Sequence, residues 1–424
     1  MKEINLNHIC KIEGHAHLTL KIEGNKVVKC ELKASEGARF FEALVINKEL
    51  KDIQEIVTRI CGICSCAHSV AAVQALEEAL GVKPSEMQKT IRELLMIGER
   101  IRSHVTHLYF LSLPDYYNAS SALSLGKEHK EKINDALSLI SLGNKIVEVF
   151  GGRDMHPFLA IKEKVPEFDF SILMKNLEES EDKILRTVEI FSNLDYPKIE
   201  REVDYLSIKE EKDYAVISGN VVSNSGVFID DDYKKHLSEN IKEYATSKFV
   251  LKDGKPYMLG AIARINNNHD NLDKETKELL FDILNKMNLN LPLKNPHHNN
   301  LAQAIELLYM RNRAIELINK IPMLKKESSE IKIKAGVGVS CVEAPRGSLF
   351  HEYKIDKNGK ITYCNIITPT AQNLNMMELD ITRLVNILLE KRVSQEEIIR
   401  QIEKLIRCYD PCFSCSTHFL QVKW

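Results

Sequence analysis

Alternation between apolar and polar positions predicts strands near the start of the chain. The segment HAHLTLKIEGNKVVKCELKA alternates on both sides of the dipeptide Gly24-Asn25, which is typical of a tight turn. A second alternating region covers residues 331–367, where SLFHEYKIDKNGKITYCNI turns at residues 357–359. These two regions are therefore predicted to form β hairpins.

Most of the remaining chain shows the 3.6-residue periodicity of helices. Residues 67–80 are apolar on nearly every face and stop at Gly81, which predicts a buried helix. Residues 87–111 form a longer amphipathic run that ends before Pro114. Further helices are predicted at residues 130–149, 173–191, 232–247, 274–288, 300–320, 374–391 and 395–408.

Composition narrows the class of protein. The 424 residues suffice for one large domain or two smaller ones, and the formal charge of −2 comes from 58 basic and 60 acidic residues. No compact basic block stands out, which argues against nucleic acid as a partner. No apolar run reaches the roughly 20 residues that span a bilayer, and the first residues lack the apolar stretch of a secretory signal. We therefore expect a cytoplasmic protein, or one carried elsewhere by a partner.

Cysteine placement is the strongest non-random feature of the composition. Six of the ten cysteines fall in two short stretches, at positions 61, 64 and 66 and at positions 408, 412 and 415. Cys61 and Cys64 form a C-x-x-C pair that leads into the first buried helix, whose amino-terminal dipole favours thiolates. Cys412 and Cys415 form a second such pair near the other end. Thiols so spaced can bind a metal, form a redox disulfide or simply be buried.

Two C-x-x-C pairs together suit a site of four sulfurs for zinc or iron. Structural zinc ribbons usually keep their pairs within about 20 residues of each other, whereas positions 64 and 412 lie 348 apart. A shared site would join the two ends of the chain through the core. That arrangement is typical of an active centre, although spacing alone leaves structural zinc open.

The wider sequence decides between these alternatives, because seven motifs occur in one order. The motifs are IEGH (12–15), ARFFEA (38–43), RICGICSCAHSVAA (59–72), HLYFLSLPD (107–115), EAPRG (343–347), ITPTAQN (367–373) and DPCFSCSTH (410–418). With them the chain resembles the large, catalytic subunit of nickel–iron hydrogenases nearly from end to end. The resemblance is greatest to the cytoplasmic branch that contains sulfhydrogenases and NAD(P)- or deazaflavin-linked enzymes. Departures from the common pattern are Lys11 for arginine, Phe40 for glycine, and PTAQN for PTTWN.

The resemblance implies a centre of two metals. Cys61 and Cys412 would be terminal ligands of nickel, and Cys64 and Cys415 would bridge nickel to an iron that also carries carbon monoxide and cyanide. Soft thiolates suit both metals. A nearby magnesium-like site is also implied, and hard oxygen ligands favour that ion. Its implied ligands are Glu42, His418 and a backbone carbonyl near Ile366.

The implied reaction is the reversible heterolytic splitting of dihydrogen into a hydride and a proton. Cys412 would accept the proton first, and Glu13 would relay it outward, since burial can raise the pKa of a carboxyl towards neutrality. For Glu13 the alternative is a turn-capping role. Arg346 would lie over the open metal position, where a fixed guanidinium donates hydrogen bonds and keeps its charge.

Other implied site residues support this centre. Two acids would position the guanidinium, three residues would line the diatomic ligands, and one histidine would donate to a bridging sulfur. For each residue taken alone, core packing or solvation is the alternative. The two acids are Asp115 and Asp410, the histidine is His68, and the residues that would line the diatomic ligands are Pro345, Pro369 and Thr370.

The same resemblance implies the fold and the processing of the chain. The expected fold is mainly α with peripheral β hairpins, a long-helix bundle in one domain over residues 1–418, whose metal site joins motifs from both ends. In relatives a protease cuts just after the last histidine. Residues 419–424, FLQVKW, are therefore expected to be a maturation tail on a precursor, with an ordinary exposed terminus as the alternative.

Electrons from dihydrogen need a route out of the chain. The six cysteines outside the two pairs show no cluster spacing and are expected to be packing thiols, so an iron–sulfur small subunit is expected as a partner. Neither G-x-G-x-x-G nor a P-loop follows a strand, which assigns flavin, nicotinamide or deazaflavin to further subunits. A maturation protease and nickel-insertion proteins are also expected. Rival interpretations are a respiratory complex I subunit, which lacks the four cysteines, a hydrogen-sensing regulator and a zinc-stapled scaffold.

Overall fold

Helices form the centre of the molecule, and small sheets lie around them. The structure, a computed structural model, describes residues 2–35, 37, 40–159, 169–325 and 331–417. The helices are α1 Phe41–Leu44, α2 Leu50–Val57, α3 Ser65–Leu80, α4 Glu86–Thr106, α5 Leu113–Tyr116, α6 Lys130–Gly151, α7 Ser171–Glu178, α8 Glu181–Ser192, α9 Tyr233–His236, α10 Ala261–Asn268, α11 Lys274–Lys286, α12 His298–Lys320, α13 Pro369–Glu390, α14 Gln395–Cys408 and α15 Phe413–Ser416.

The strands form several small sheets, all antiparallel except for the short pair β4 and β10. The two larger sheets have the orders β1-β2-β3 and β11-β12-β13. The strands are β1 Lys2–Leu6, β2 Ala16–Glu23, β3 Lys26–Ala34, β4 Asp204–Tyr205, β5 Ser207–Lys209, β6 Asn220–Ser223, β7 Gly226–Phe228, β8 Leu237–Ile241, β9 Lys248–Lys252, β10 Tyr257–Met258, β11 Gly336–Ala344, β12 Gly347–Ile355 and β13 Ile361–Ile367.

Helix α4 is a main member of the bundle and packs against both α6 and α12. A capping box begins it, in which Ser85 accepts a hydrogen bond from the Gln88 amide and the Gln88 side chain accepts one from the Ser85 amide. The helices α4 and α6 cross closely because Gly98 faces Gly143: a Cβ on Gly143 would lie 2.6 Å from the Gly98 carbonyl oxygen. After Thr106 the chain continues as a π-helical segment, His107–Ser112.

The hairpin of β11 and β12 carries the EAPRG motif. Ala344 pairs with Gly347, so Pro345 and Arg346 form the turn between the strands. Both strands pack against α3, the helix that follows the first cysteine pair. This packing brings Arg346 to the same region as the cysteines.

The predicted fold class is confirmed: the chain is mainly helical, with hairpins at the periphery. The hairpin around Gly24 and Asn25 is formed by β2 and β3, and residues 331–367 contain β11 to β13. Most predicted helices are present within a few residues of the predicted bounds. The predicted helix at 173–191 is divided into α7 and α8.

The helix predicted at residues 232–247 is wrong. Only the short α9 forms there, and Leu237–Ile241 pairs with Lys248–Lys252 as a two-stranded sheet. The spacing of Leu237 and Ile241 also fits a helical face, but Leu237 is buried whereas Ile241 is exposed. Pairing with β9, which contributes the buried Phe249 and Val250, outweighs the local helical periodicity.

The two ends of the described chain meet in the interior. Glu13 forms an isolated parallel bridge with Cys412, and its carbonyl accepts a hydrogen bond of 3.0 Å from the Phe413 amide. One large hydrophobic core extends from Ile4 to Cys415 and contains both cysteine pairs. Within the described residues, no helix is long and apolar enough to cross a membrane.

Candidate metal centre

Four cysteine sulfurs from the two ends of the chain converge in the core. Cys61, Cys64, Cys412 and Cys415 are all buried, and their sulfur atoms lie within 4.8 Å of one another. The Sγ atoms of Cys61 and Cys412 are 3.5 Å apart, and those of Cys64 and Cys415 are 3.2 Å apart. All ten cysteines are free thiols, so the pairs are not disulfides. The predicted convergence of the two pairs is therefore present.

Helix α4 holds the loop of the first pair. Glu99 accepts hydrogen bonds from the amides of Cys66 (2.6 Å) and Ala67 (3.2 Å), which caps the first turn of α3. One turn along α4, the Arg102 guanidinium donates to the carbonyl of Ile63 at 3.2 Å. Burial raises the pKa of Glu99 to about 7. These two charged residues fix the backbone on both sides of Cys64.

The second pair is held by contacts from three parts of the chain. Asp410 adopts a left-handed backbone conformation, with φ of 49°, where the chain leaves α14. Its carbonyl accepts from Arg346 Nε at 2.6 Å. Two residues on, the amide of Cys412 donates to Thr370 Oγ1 at 2.8 Å. The carboxylate of Glu13 accepts from the Cys412 thiol at 2.9 Å and from the Ser414 hydroxyl.

Burial makes the four thiols poor acids as a group. It raises the pKa of Cys412 and Cys415 well above the ordinary value for a thiol. Hydrogen bonds from the other thiols, first from Cys412, lower the pKa of Cys61. Burial and the Cys61 sulfur together raise the pKa of Glu13. One thiolate can thus be stabilised by its neighbours, while four at once require cations.

A small cavity borders three of the sulfurs. Arg346 is buried in its wall, donates to Asp410 Oδ1 at 2.8 Å through Nη2, and has one nitrogen, Nη1, without a hydrogen-bond partner in the described part of the chain. An unpaired buried donor costs free energy unless a further group accepts from it. The cavity is lined by Cys64, His68, Ala344, Arg346, Leu349, Pro369, Thr370, Cys412 and Cys415.

These features fit a soft-metal centre. Four buried sulfurs are the donor set that nickel, iron and zinc share, and the thiol protons are what a metal would displace. The unpaired Arg346 Nη1 and the Thr370 hydroxyl provide polar groups beside the sulfurs. Among the cysteine, histidine and acidic side chains of the described residues, these four cysteines are the group that could hold a metal ion.

In the described residues Asp115 pairs with cations other than Arg346, and its role in positioning Arg346 stays a prediction. Both Asp115 oxygens accept from Arg407 Nη1 at 2.8 Å, and the carboxylate also pairs with Lys11. Asp410 Oδ1 is the carboxylate oxygen that accepts from Arg346 Nη2, at 2.8 Å. Arg407, on the last turn of α14, is a nearer cation for Asp115. Lys11, noted as a departure from the common motif, completes this separate ion-pair group.

The other predicted positions are near the sulfurs, with different contacts. His68 lines the cavity, and its Nδ1 lies 3.0 Å from His351 Nε2. Pro369 and Thr370 also line the cavity. Pro345 does not, but it is buried at the turn before Arg346 and its carbonyl accepts from Arg264 at 3.0 Å. Hydrogen bonding of a bridging sulfur by His68 stays a prediction.

The predicted magnesium ligands are only partly described. Glu42 Oε1 accepts from the Ile366 amide at 2.8 Å and from Lys248 Nζ at 2.9 Å. A lysine ammonium therefore already balances this carboxylate, and the described residues alone do not build an oxygen-rich cation site. His418 lies outside the described residues. Magnesium binding stays a prediction.

Several positioning residues escaped the sequence analysis. Glu99 and Arg102 lie three residues apart in the predicted helix 87–111. Their charge among apolar residues of that helix was the signal that could have identified them. Gln303 donates to Asp410 Oδ2 at 3.0 Å from helix α12. No local pattern marks that glutamine, because its partner is 107 positions away.

Comparisons with known proteins agree with this geometry. A model of the family described as nickel-dependent hydrogenase matches residues 39–168 and 158–418. Sulfhydrogenase 1 subunit alpha of Pyrococcus furiosus is 38% identical over 99% of this chain and 98% of its own length. Sulfhydrogenase 2 subunit alpha of the same organism is 34% identical over 99% of this chain and its full length.

A solved structure has the same fold. An NAD+-reducing [NiFe]-hydrogenase in the H2-reduced state superposes with a TM-score of 0.88, at 22% identity, over 99% of this chain and 100% of that one. The extended family match and the two sulfhydrogenase subunits agree with the four-sulfur site. The chain belongs to the nickel-dependent hydrogenase family, as a large subunit.

Proposed function

We propose that the chain is the catalytic large subunit of a nickel–iron hydrogenase and splits dihydrogen reversibly into protons and electrons. The observation that carries this proposal is the convergence of four sulfurs from both ends of the chain within 4.8 Å. When bound, nickel and iron supply the Lewis-acid and redox chemistry for heterolytic cleavage. The protein supplies the ligands, the proton acceptors and a pocket that excludes water.

The four cysteines divide into two roles in this proposal. Cys61 and Cys412 would hold nickel alone, and Cys64 and Cys415 would be the thiolates that nickel and iron share. The Sγ atom of Cys415 lies 3.2 Å from that of Cys64 and 2.8 Å from that of Cys412, so sulfurs of both pairs are close enough to share one metal centre. The cavity beside this pair contains apolar Ala344 and Leu349 side chains and the donors of Arg346 and Thr370. Its lining suits small diatomic ligands of iron, carbon monoxide and cyanide.

The proton leaves through Cys412 and Glu13. The Cys412 thiol donates to Glu13 Oε2 at 2.9 Å, within the range for direct proton transfer. Glu13 is only partly buried, and the Ser414 hydroxyl also donates to its carboxylate. A carboxyl with a raised pKa can hold the proton between the sulfur and the outside. Glu13 is therefore the first relay.

Metal content tests the assignment of ligands. Cys412→Ala should lose nickel, because one of four sulfurs is removed from a buried site that the remaining three do not complete. Cys341→Ala is the matched control, since Cys341 is equally buried in β11 and is not among the four. Both proteins should be purified with their partner and measured by inductively coupled plasma mass spectrometry. Zinc in place of nickel in the unaltered protein would favour the structural-zinc interpretation.

We also propose a partner that carries iron–sulfur clusters. The six cysteines outside the site are scattered along the chain at positions 10, 30, 66, 341, 364 and 408, which offers no cluster motif for the electrons. The relatives of this chain are named alpha subunits. We propose that the complex is cytoplasmic and that, besides the small subunit, it contains subunits that bind flavin, nicotinamide or deazaflavin. Co-purification of an iron-rich subunit with a tagged chain supports this; a catalytically active lone chain contradicts it.

Maturation completes the proposal. Thr417, two residues after Cys415 and the last residue before the undescribed segment 418–424, is fully buried. We propose that a protease removes residues 419–424 after His418, once nickel-insertion proteins have loaded the site. Intact mass of the active enzyme should show the loss of FLQVKW. An active enzyme that still ends at Trp424 contradicts this step.

A further inference from the structure

The π-helical segment His107–Ser112 interrupts the continuation of α4. Segments of this type are frequent at functional sites, because the extra residue re-aims a side chain. Its first residue, His107, begins the HLYFLSLPD motif and is only 1% exposed. His107 takes no part in the proposed proton route through Cys412 and Glu13.

His107 contacts two acceptors. Its Nδ1 lies 2.6 Å from Gln303 Oε1, and its Nε2 lies 2.7 Å from the carbonyl oxygen of Arg407. Gln303 Nε2 in turn donates to Asp410 Oδ2 at 3.0 Å. The other Asp410 oxygen accepts from Arg346 Nη2 at 2.8 Å. A continuous buried chain of hydrogen bonds thus links His107 to the guanidinium over the sulfurs.

The chemistry of these partners fixes where the protons are. A backbone carbonyl only accepts, so the Nε2 facing Arg407 must donate. The amide orientation of Gln303 is set by Asp410, because its nitrogen must face the carboxylate. Gln303 Oε1 therefore faces His107, and Nδ1 must donate as well. An imidazole that donates from both nitrogens carries two protons and a positive charge.

Exchanging the oxygen and nitrogen of the Gln303 amide does not give a better set of hydrogen bonds. Its oxygen would then face Asp410 Oδ2 at 3.0 Å, so two acceptors would oppose each other. Asp410 Oδ1 already accepts from Arg346 Nη2 at 2.8 Å. The orientation with a doubly donating His107 leaves every one of these contacts satisfied.

We infer that His107 is an imidazolium that positions Asp410, and through Asp410 the guanidinium of Arg346, at the metal centre. It binds the turn before Cys412 at two points: directly at the Arg407 carbonyl, and through Gln303 at the Asp410 carboxylate. The Asp410 amide closes the same turn on the Arg407 carbonyl at 2.8 Å. His107 is a positioning residue, and this role rests on the proposed function.

Neutron crystallography of the holoenzyme tests the protonation directly. Deuterium-exchanged crystals should show nuclear density at both Nδ1 and Nε2 of His107, and at Gln303 Nε2 towards Asp410. Density at only one ring nitrogen would overturn the inference. The neutron measurement does not depend on turnover, so it determines the protonation state of His107 even if the proposed reaction is wrong.

Variants test the positioning. His107→Gln can donate to only one of the two acceptors, so Arg346 should lose its fixed orientation. We expect normal nickel content, a fall in kcat of about ten- to a hundred-fold, and shifted infrared bands of the iron-bound diatomic ligands. His298→Gln is the matched control: His298 is also buried, packs on Tyr196 and contacts none of these groups. Its bands and kcat should stay unchanged.

A second variant guards against misfolding. Gln303→Met keeps the volume of the side chain and breaks the same link while leaving His107 in place. It should shift the infrared bands in the same direction as His107→Gln. Unchanged bands and kcat in both variants, with nickel present, overturn the positioning role. Absence of nickel and of diatomic bands in the unaltered enzyme would instead contradict the proposed function, and the neutron density would still decide the state of His107.

Discussion

A thiol buried in an apolar core resists ionisation, and this property governs the chemistry of the four cysteines. Burial raises the pKa of Cys412 and Cys415, while hydrogen bonds from its neighbours lower the pKa of Cys61. A cluster of this kind exchanges its protons for cations when a soft metal binds. The same burial raises the pKa of Glu13, the acceptor next to Cys412. Each residue is therefore suited to its role by its surroundings.

The proton relay can be tested at Glu13. Glu13→Gln keeps the size of the side chain and can still bond Cys412 and Ser414, but its amide cannot carry the proton. We expect nickel and iron to be retained while hydrogen–deuterium exchange falls by about 100-fold or more. Mass spectrometry of the exchanged gas measures this rate. Glu13→Asp, a shorter carboxylate, should keep part of the activity, and an unchanged rate in Glu13→Gln would exclude the relay.

For individual residues, the sequence predicted those that lie within the recognised motifs. The convergence of the four cysteines follows from spacing and resemblance, and Glu13, Arg346, Asp410 and Thr370 were named from their motifs. The pairing of Asp115 with Arg407 was not predicted, because it depends on how α14 packs, which no motif records. Glu99 and Gln303 were missed since each meets its partner across the fold. Long-range partners are the part of the site that local patterns cannot specify.

Among the elements, helix α4 connects the bundle to the metal centre. Its Glu99 and Arg102 hold the loop of Cys61 and Cys64, and its π-helical continuation begins with His107. The close crossing with α6 at Gly98 and Gly143 sets the position of this helix. Packing in the bundle is thus coupled to the geometry of the first cysteine pair.

This coupling predicts the effect of a single methyl group. In Gly143→Ala the added Cβ would lie 2.6 Å from the Gly98 carbonyl and 2.8 Å from the Arg102 amide, so α4 must move. We expect a loss of about 1–3 kcal/mol in the free energy of unfolding and reduced nickel retention. Urea unfolding and metal analysis measure the two effects. Gly37→Ala, where no atom of the described residues lies within 4 Å, is the control; equal stability of the two variants would contradict the account.

Periodicity predicted most elements because their apolar faces are long. It failed at residues 232–247, where the short segment fits both a helix and a strand. There the partner strand β9 decided the outcome, and β9 lies outside the window that periodicity reads. Short strands between residues 204 and 258 were missed for the same reason.

For the whole molecule, the defining feature is that the site needs both ends of the chain. The cysteines that approach each other are 351 positions apart, and both pairs lie in one continuous core. A metal that binds all four sulfurs therefore stabilises the folded chain as a unit. Spacing alone left zinc open, and the motif order with the family match identifies a hydrogenase large subunit.

Infrared spectroscopy of the purified enzyme, with nickel and iron measured on the same sample, tests the central claim most directly. If four cysteines hold a nickel–iron centre, absorption bands from iron-bound carbon monoxide and cyanide should accompany nickel and should be missing in Cys412→Ala. Zinc without nickel, and no such bands in the fully folded protein, would contradict the account.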